Sequence, residues 1–240
     1  MSAKLAPLQR YGGKVLAWIA AREASVLLAL LLAAGGAWLF IELADDVLEG
    51  DTRAVDEYLM LSLRTTGEPS DPLGPSWVEE LARDVTALGS AAILTFVTVA
   101  AAGFLVLQRK RHLALYLIAA VASGTIVGSL LKWTFDRPRP DLVAHGQAVY
   151  TSSFPSGHSM ISAVAFLTLG ALLASGQTNR GMRGYLIGLA LLLTVAVGVS
   201  RVYLGVHWPT DVLAGWTAGA AWALLCWALA RRLRRRGAVE

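Results

Sequence analysis

The stretch from Leu113 to Pro140, LALYLIAAVASGTIVGSLLKWTFDRPRP, decides how the chain is read. No charged residue occurs from Leu113 to Leu131. A helix of that length rises about 28 Å, close to the hydrocarbon thickness of a bilayer. Lys132, Asp136, Arg137 and Arg139 then follow in quick succession. Charge kept beside a lipid-spanning run is costly and points to function.

Working outward, five further apolar runs of similar length lie near 25–43, 87–107, 158–175, 184–201 and 212–230. The 240 residues are 55% hydrophobic and 16% charged, with mean hydropathy +0.55. That balance excludes an ordinary soluble domain. The expected fold is all-α: a polytopic membrane protein with six transmembrane helices in one bundle, and an extra interfacial segment between helices 1 and 2. Residues 1–240 read as a single domain. Within it, 1–24 is a cytoplasmic N-terminal segment, 44–86 an outer connector, 132–211 the region of the chemical motifs, and 231–240 a cytoplasmic basic tail. The first run is long enough to span and lacks a small-x-small cleavage pattern, so it reads as a span and not as a cleaved leader. The lone Cys226 reads as a packing residue, and no paired-cysteine metal pattern exists.

Basic residues set the orientation. With the N-terminus inside, the inner segments carry Lys4, Arg10, Lys14 and Arg22, the cluster Arg109-Lys110-Arg111, Arg180 and Arg183, and Arg231, Arg232, Arg234, Arg235 and Arg236. Only Glu23 and Glu240 among the acids fall on that side. The arginine-rich tail therefore reads as a topology anchor and not a nucleic-acid contact, despite a pI near 9.5. Trp133, Trp208 and Trp216 lie near span ends and read as an interfacial belt. The acidic connector from Glu42 to Asp84 reads as solvated, with one helix at the headgroup layer around Leu59, Leu61, Leu63 or Trp77-Val78.

In this topology three polar segments share the outer side. Lys132 to Pro140 ends span 3, Pro155-Ser156-Gly157-His158 opens span 4, and Ser200-Arg201 to His207 and Asp211 joins spans 5 and 6. Lys132, Arg139 and Arg201 supply three positive charges. Arginine binds phosphate oxygens in bidentate fashion, and lysine acts as a compact point charge. Free N–H groups at a helix start add an anion site, with Gly157 permitting close approach and Ser156 offering a hydroxyl. His158 is suited to protonate a leaving alkoxide. Asp211, four residues past His207, can fix one ring nitrogen and leave the other free to attack phosphorus. Taken singly, each residue has an ordinary explanation as an anchor, a turn or a structural histidine. Six polar groups converging on one side do not. No cluster of carboxylates and histidines resembles a two-metal site, so the expectation is no metal and no cofactor.

The pattern Lys, six residues, Arg-Pro, then Pro-Ser-Gly-His, then Ser-Arg, five residues, His, three residues, Asp resembles the type-2 phosphatidic acid phosphatase superfamily of integral membrane enzymes. Lys132 to Arg139-Pro140, Pro155 to His158, and Ser200-Arg201 to His207 to Asp211 match it without departure. The resemblance implies a six-helix core, lipid phosphate substrates and a metal-free phosphohistidine mechanism. It assigns Lys132, Arg139 and Arg201, helped by Ser156 and Gly157, to phosphate binding. It makes His158 the acid, His207 the nucleophile and Asp211 its partner. Arg137 stays outside that core set, as a supporting charge or a headgroup contact. Ser200 reads as an orienter of Arg201.

The expected activity is hydrolysis of a terminal phosphate from a lipid of the phosphatidate, phosphatidylglycerol phosphate or undecaprenyl diphosphate class, on the outer face of a bacterial inner membrane. The partners are this substrate and membrane lipids, with no nucleic acid and no obligate protein partner. Two rivals remain: transfer of the phosphate to another acceptor, and binding or transport of a phosphate lipid without cleavage.

Overall fold

The computed structural model describes residues 6–141 and 151–235, with side chains placed for 23–141 and 151–233. Lys4, Arg236 and Glu240 lie outside the described residues. The elements are α1 (Ala6–Glu49), α2 (Arg53–Leu61), β1 (Arg64–Thr65), β2 (Glu68–Pro72), α3 (Ser76–Ala87), α4 (Ala91–Leu107), α5 (Arg111–Thr134), α6 (Gly157–Ser175), α7 (Arg180–Tyr203) and α8 (Pro209–Arg235). The described chain is a helical membrane bundle. Five helices are long and apolar enough to cross a bilayer, and the bent pair α3–α4 passes the same test when its two helices are taken as one span. Leu31, Trp38, Phe96, Leu107, Ile126 and Leu192 are among many large apolar side chains exposed on the outside of the bundle. Lipid covers such a surface without penalty, and water would not.

Two boundaries differ from the sequence reading. The apolar run expected at 25–43 lies inside a much longer helix, α1, which continues to Glu49. Polar residues stop a hydropathy run but do not stop a helix, because the backbone ladder only needs residues that tolerate helical φ and ψ. For the same reason α8 runs on through Arg231 and Arg232 of the basic tail, and Arg231 stacks over the Trp227 ring at 4.8 Å. The second span is not one straight rod: α3 and α4 meet at 51° across Leu88-Gly89-Ser90. Ser90 restarts the ladder by accepting from Ile93 N at 3.3 Å.

The connector is more ordered than the solvated stretch expected. It holds α2, α3 and an antiparallel two-stranded hairpin, β1 against β2. Arg64 is buried in it and donates to the Tyr203 carbonyl at 2.8 Å, tying the hairpin to the end of α7. The Tyr203 hydroxyl donates back to the Leu73 carbonyl at 3.0 Å. These bonds join segments far apart in sequence, so no local pattern announces them.

Helix α6 is the axis of the bundle. It packs on α5, α7 and α8, and Ala163, Val164 and Ala165 are fully buried in it. Its approach to α8 is backbone to backbone. A Cβ on Gly215 would lie 2.7 Å from the Ser156 carbonyl oxygen and 2.8 Å from Ser159 Cβ, and one on Gly219 would lie 2.8 Å from Ala163 Cβ. Glycines four apart therefore set the helix spacing, as small residues do where lipid removes the hydrophobic drive between helices. The result brings the N-termini of α6 and α8 side by side, and Ser156 N–H donates to the Asp211 carbonyl at 2.9 Å. An aromatic trio closes the same end: Phe40 of α1, Phe135 after α5 and the buried Phe154, with ring centroids 4.8–6.3 Å apart.

Gly219→Val is expected to destabilise the bundle by about 1–3 kcal/mol through overpacking, seen as a lower thermal midpoint in detergent. Gly188→Val, in α7 with nothing within 4 Å of its would-be Cβ, is the matched control. Equal losses in the two variants would show that close α6–α8 contact is not what the glycine provides.

Candidate active site

The polar end of the bundle is built from three chain crossings, each with a local cause. The turn Val206-His207-Trp208 enters α8 at Pro209, whose ring has no N–H to lose at a helix start. Asp211, two residues further on, reaches back to accept from Trp208 N at 2.9 Å. A carboxylate at this place satisfies a free N–H and complements the positive end of the helix dipole. The same carboxylate then faces His207, with Oδ2 3.3 Å from Nδ1.

Three more groups hold Asp211. The Ser153 hydroxyl donates to Oδ2 in a short contact and lies 3.3 Å from His207 Nδ1. Arg137 Nη1 donates to Oδ1 at 2.6 Å. Asp211 is fully buried and His207 is 1% exposed. A buried carboxylate is tolerated only when its lone pairs are taken up, and here they are. Ser153–H already donates to Asp211, so the His207 nitrogen facing this carboxylate is the one that carries the proton. Nε2 is then a bare lone pair. It lies 3.2 Å from Arg139 Nη1, which also donates to the Val206 carbonyl at 2.7 Å. Burial pushes the His207 imidazole far below its usual range, and the nearby Arg139 and Arg201 charges add to this against the opposing pull of Asp211. The ring is neutral at physiological pH, as a nitrogen nucleophile must be.

The remaining expected residues sit around this pair. Lys132, in the last turn of α5, donates Nζ to the Ser152 carbonyl at 2.8 Å. Gly157 lets it pass, since a Cβ there would stand 3.2 Å from Lys132 Cε. Arg139 also holds the Thr151 carbonyl and hydroxyl, both at 3.2 Å. Arg201 donates Nη1 to Thr86 at 3.1 Å, while its buried Nε has no partner among the described residues. An unpaired buried donor on a guanidinium costs free energy unless an anion arrives to take it. His158, in the first turn of α6, makes no hydrogen bond among the described residues, and its ring packs where a Cβ on Gly89 would come within 3.4 Å. Ser156 is fully buried and caps α6, accepting from Ser159 N at 3.4 Å and Ser159 Oγ at 3.0 Å. Its acceptor side is therefore committed to the helix, and only its proton is left to give.

The structure brings all eight expected residues to one end of the bundle and adds others. Ser200 does not orient Arg201: its hydroxyl bonds back to the Val197 carbonyl at 2.7 Å. Trp208 and Trp216 do not belong to an interfacial belt. Trp208 is 6% exposed and donates to the Pro138 carbonyl at 3.1 Å, and Trp216 donates to the Thr194 carbonyl at 3.0 Å. Indole N–H groups close to buried carbonyls are taken inward by hydrogen bonding. Trp133 stays 83% exposed, as a belt residue does. Ser153 and Arg137 belong to the core of the site. The sequence offered a signal for both, since Ser153 precedes Phe-Pro-Ser-Gly-His directly and Arg137 lies two residues before Arg139.

The family match falls on this same region. The family model of the PAP2 superfamily matches residues 113–235. Phosphatidylglycerophosphatase B of Bacillus subtilis is 32% identical over 148 residues, which span 60% of this chain and 70% of that protein. An undecaprenyl-diphosphatase of Sulfolobus acidocaldarius is 31% identical over 121 residues, 48% of this chain and 54% of that protein. The crystal structure of a transmembrane PAP2-type phosphatidylglycerolphosphate phosphatase from Bacillus subtilis superposes with a TM-score of 0.76 at 25% identity, covering 85% of this chain and 98% of that one. Together with the matched half of the sequence, these likenesses show that the chain belongs to the PAP2 superfamily.

Proposed function

We propose that this protein hydrolyses the terminal phosphate of a membrane lipid phosphate through a phosphohistidine on His207, without a metal ion. One observation carries the reading: the buried His207 imidazole meets Asp211 at Nδ1 and presents Nε2 beside Arg139. In the first step Nε2 forms a bond to phosphorus and the bond from phosphorus to the lipid oxygen breaks. His158 gives its proton to that oxygen. In the second step water attacks the phosphohistidine, His158 takes a water proton, and the N–P bond breaks to return His207 and free phosphate. Lys132, Arg139 and Arg201 stabilise the charge that builds on the equatorial oxygens.

The lipid class is supported by the surroundings. An apolar cleft of about 450 Å³ opens between α1, α5 and α8, lined by residues that include Leu30, Phe40, Leu131, Met160 and Trp222. Leu131 and Met160 stand within one turn of Lys132 and His158 on the same helices, so the cleft reaches the level of the polar bundle end. The names of the relatives point to phosphatidylglycerophosphate and polyprenyl diphosphate as first choices for a panel. The positive-inside distribution supports an orientation with both termini cytoplasmic and the site on the outer face of a bacterial inner membrane.

Phosphate release from that panel in detergent should survive EDTA and fall about 10³-fold or more in His207→Ala. Retained release in the variant would remove His207 as nucleophile. His158→Ala should cost about 10²–10⁴-fold with an alkoxide leaving group, and far less with p-nitrophenyl phosphate, whose leaving group needs no proton. A loss of equal size on both substrates would take the acid role from His158. Histidine-ring NMR of the substrate-free enzyme should show His207 neutral from pH 8 down to pH 5, since burial holds its pKa below that window. A titration near pH 6.5 would contradict the buried, neutral ring.

A further inference from the structure

Asp56 stands out among the acids of the connector. Twelve acidic residues lie between Glu42 and Asp84, and the ordinary account of such a run is a solvated surface. Asp56, in α2, is instead fully buried. Its Oδ2 accepts from Arg137 Nη2 at 2.7 Å and from the Thr210 hydroxyl at 2.6 Å, and its Oδ1 accepts from Thr210 N at 2.9 Å. Arg137 Nη1 in turn donates to Asp211 Oδ1 at 2.6 Å and to the Thr210 hydroxyl at 2.8 Å. One guanidinium thus bridges two buried carboxylates, one on the connector and one beside His207.

We propose that Asp56 is a positioning residue for His207: through Arg137 and Thr210 it sets the orientation of the Asp211 carboxylate, and so the tautomer of the ring. This rests on the phosphohistidine reading above and deepens it. A guanidinium is planar and rigid, so anchoring one edge fixes the direction of the other. With Asp56 in place, Arg137 offers Asp211 a single N–H, on Oδ1, and leaves Oδ2 to His207, Ser153 and Trp208. Without Asp56, Arg137 Nη2 keeps only its 3.3 Å bond to the Thr52 hydroxyl, and a fork with both N–H groups on Asp211 is the stronger alternative. The bond it would displace is the longest one on Asp211, the 3.3 Å contact with His207 Nδ1. The ring would then lose its preference for a proton on Nδ1, and Nε2 would carry it part of the time. Asp56 touches neither His207 nor the phosphate position, so it acts only through its neighbours.

The test reads the ring directly, with no substrate. The full chain in detergent, labelled with ¹⁵N-histidine, contains four histidines, and His207→Gln assigns the one of interest. In the wild type, Nδ1 should give the protonated shift and Nε2 the bare one. In Asp56→Asn the two shifts should move toward each other, Arg137→Gln should do the same, and the double variant should move no further than the larger single. Thr210→Val keeps the backbone bond to Asp56 and removes the hydroxyl bridge, so a smaller shift in the same direction is expected. It keeps the test open should Asp56→Asn fail to fold. In the lipid phosphate assay Asp56→Asn should lower kcat about tenfold with KM little changed. Folded Asp56→Asn and Thr210→Val proteins with wild-type ring shifts overturn the proposal, leaving Asp56 as an anchor for α2 alone. A wild type that releases no phosphate from any lipid overturns the proposed function instead, and the ring shifts still decide the role of Asp56.

Discussion

A carboxylate out of reach of water must be satisfied on every side, and Asp211 is such a group. Trp208 N, the Ser153 hydroxyl, Arg137 and His207 surround it, coming from the start of α8, the segment before α6 and the segment after α5. Losing any one leaves a buried charge short of a partner, which costs more than an ordinary hydrogen bond returns. This constraint makes the polar end of the bundle one unit. The same requirement that holds the segments together also fixes His207 against Asp211, so the fold and the candidate site share their hydrogen bonds.

The close contact of α6 and α8 makes that unit possible. Gly215 and Gly219 bring the backbones near enough for Ser156 N–H to reach the Asp211 carbonyl. With a larger side chain at either position the two helix starts would separate and the bond from Ser156 to Asp211 would be lost. Gly89 and Gly157 do the same work locally: a Cβ on Gly89 would lie 2.4 Å from Val197 Cγ1 of α7, and one on Gly157 would crowd the Lys132 stem.

The connector shows how a segment between two spans can belong to the polar end of the bundle. The tie from Arg64 to Tyr203 holds the hairpin against α7, and Thr86, near the end of α3, holds Arg201. Asp56 reaches further in than either. A bundle of six spans alone would leave Arg137 with one carboxylate partner where it now has two.

Much of this was legible before any coordinates. Apolar length counts spans because hydrocarbon admits only backbone whose bonds are satisfied within the segment. Phosphate chemistry needs cations, a nucleophile and an acid, and those residue types stand out when they flank apolar runs. The helix starts at Gly157 and Pro209 followed from their turn and capping residues. The roles of Asp56, Ser153 and Thr210 did not follow. Asp56 is one acid among twelve, and what distinguishes it is burial against Arg137 and Thr210, residues more than 80 positions away. The inward turn of Trp208 and Trp216, and the helical continuation of α1 past its apolar run, were likewise unreadable. Sequence by itself determined which segments are apolar enough to cross a membrane and which polar side chains stand at their ends, because those depend on local composition. Only the tertiary structure decided which carboxylate meets which cation, because that depends on partners that sequence distance does not reveal.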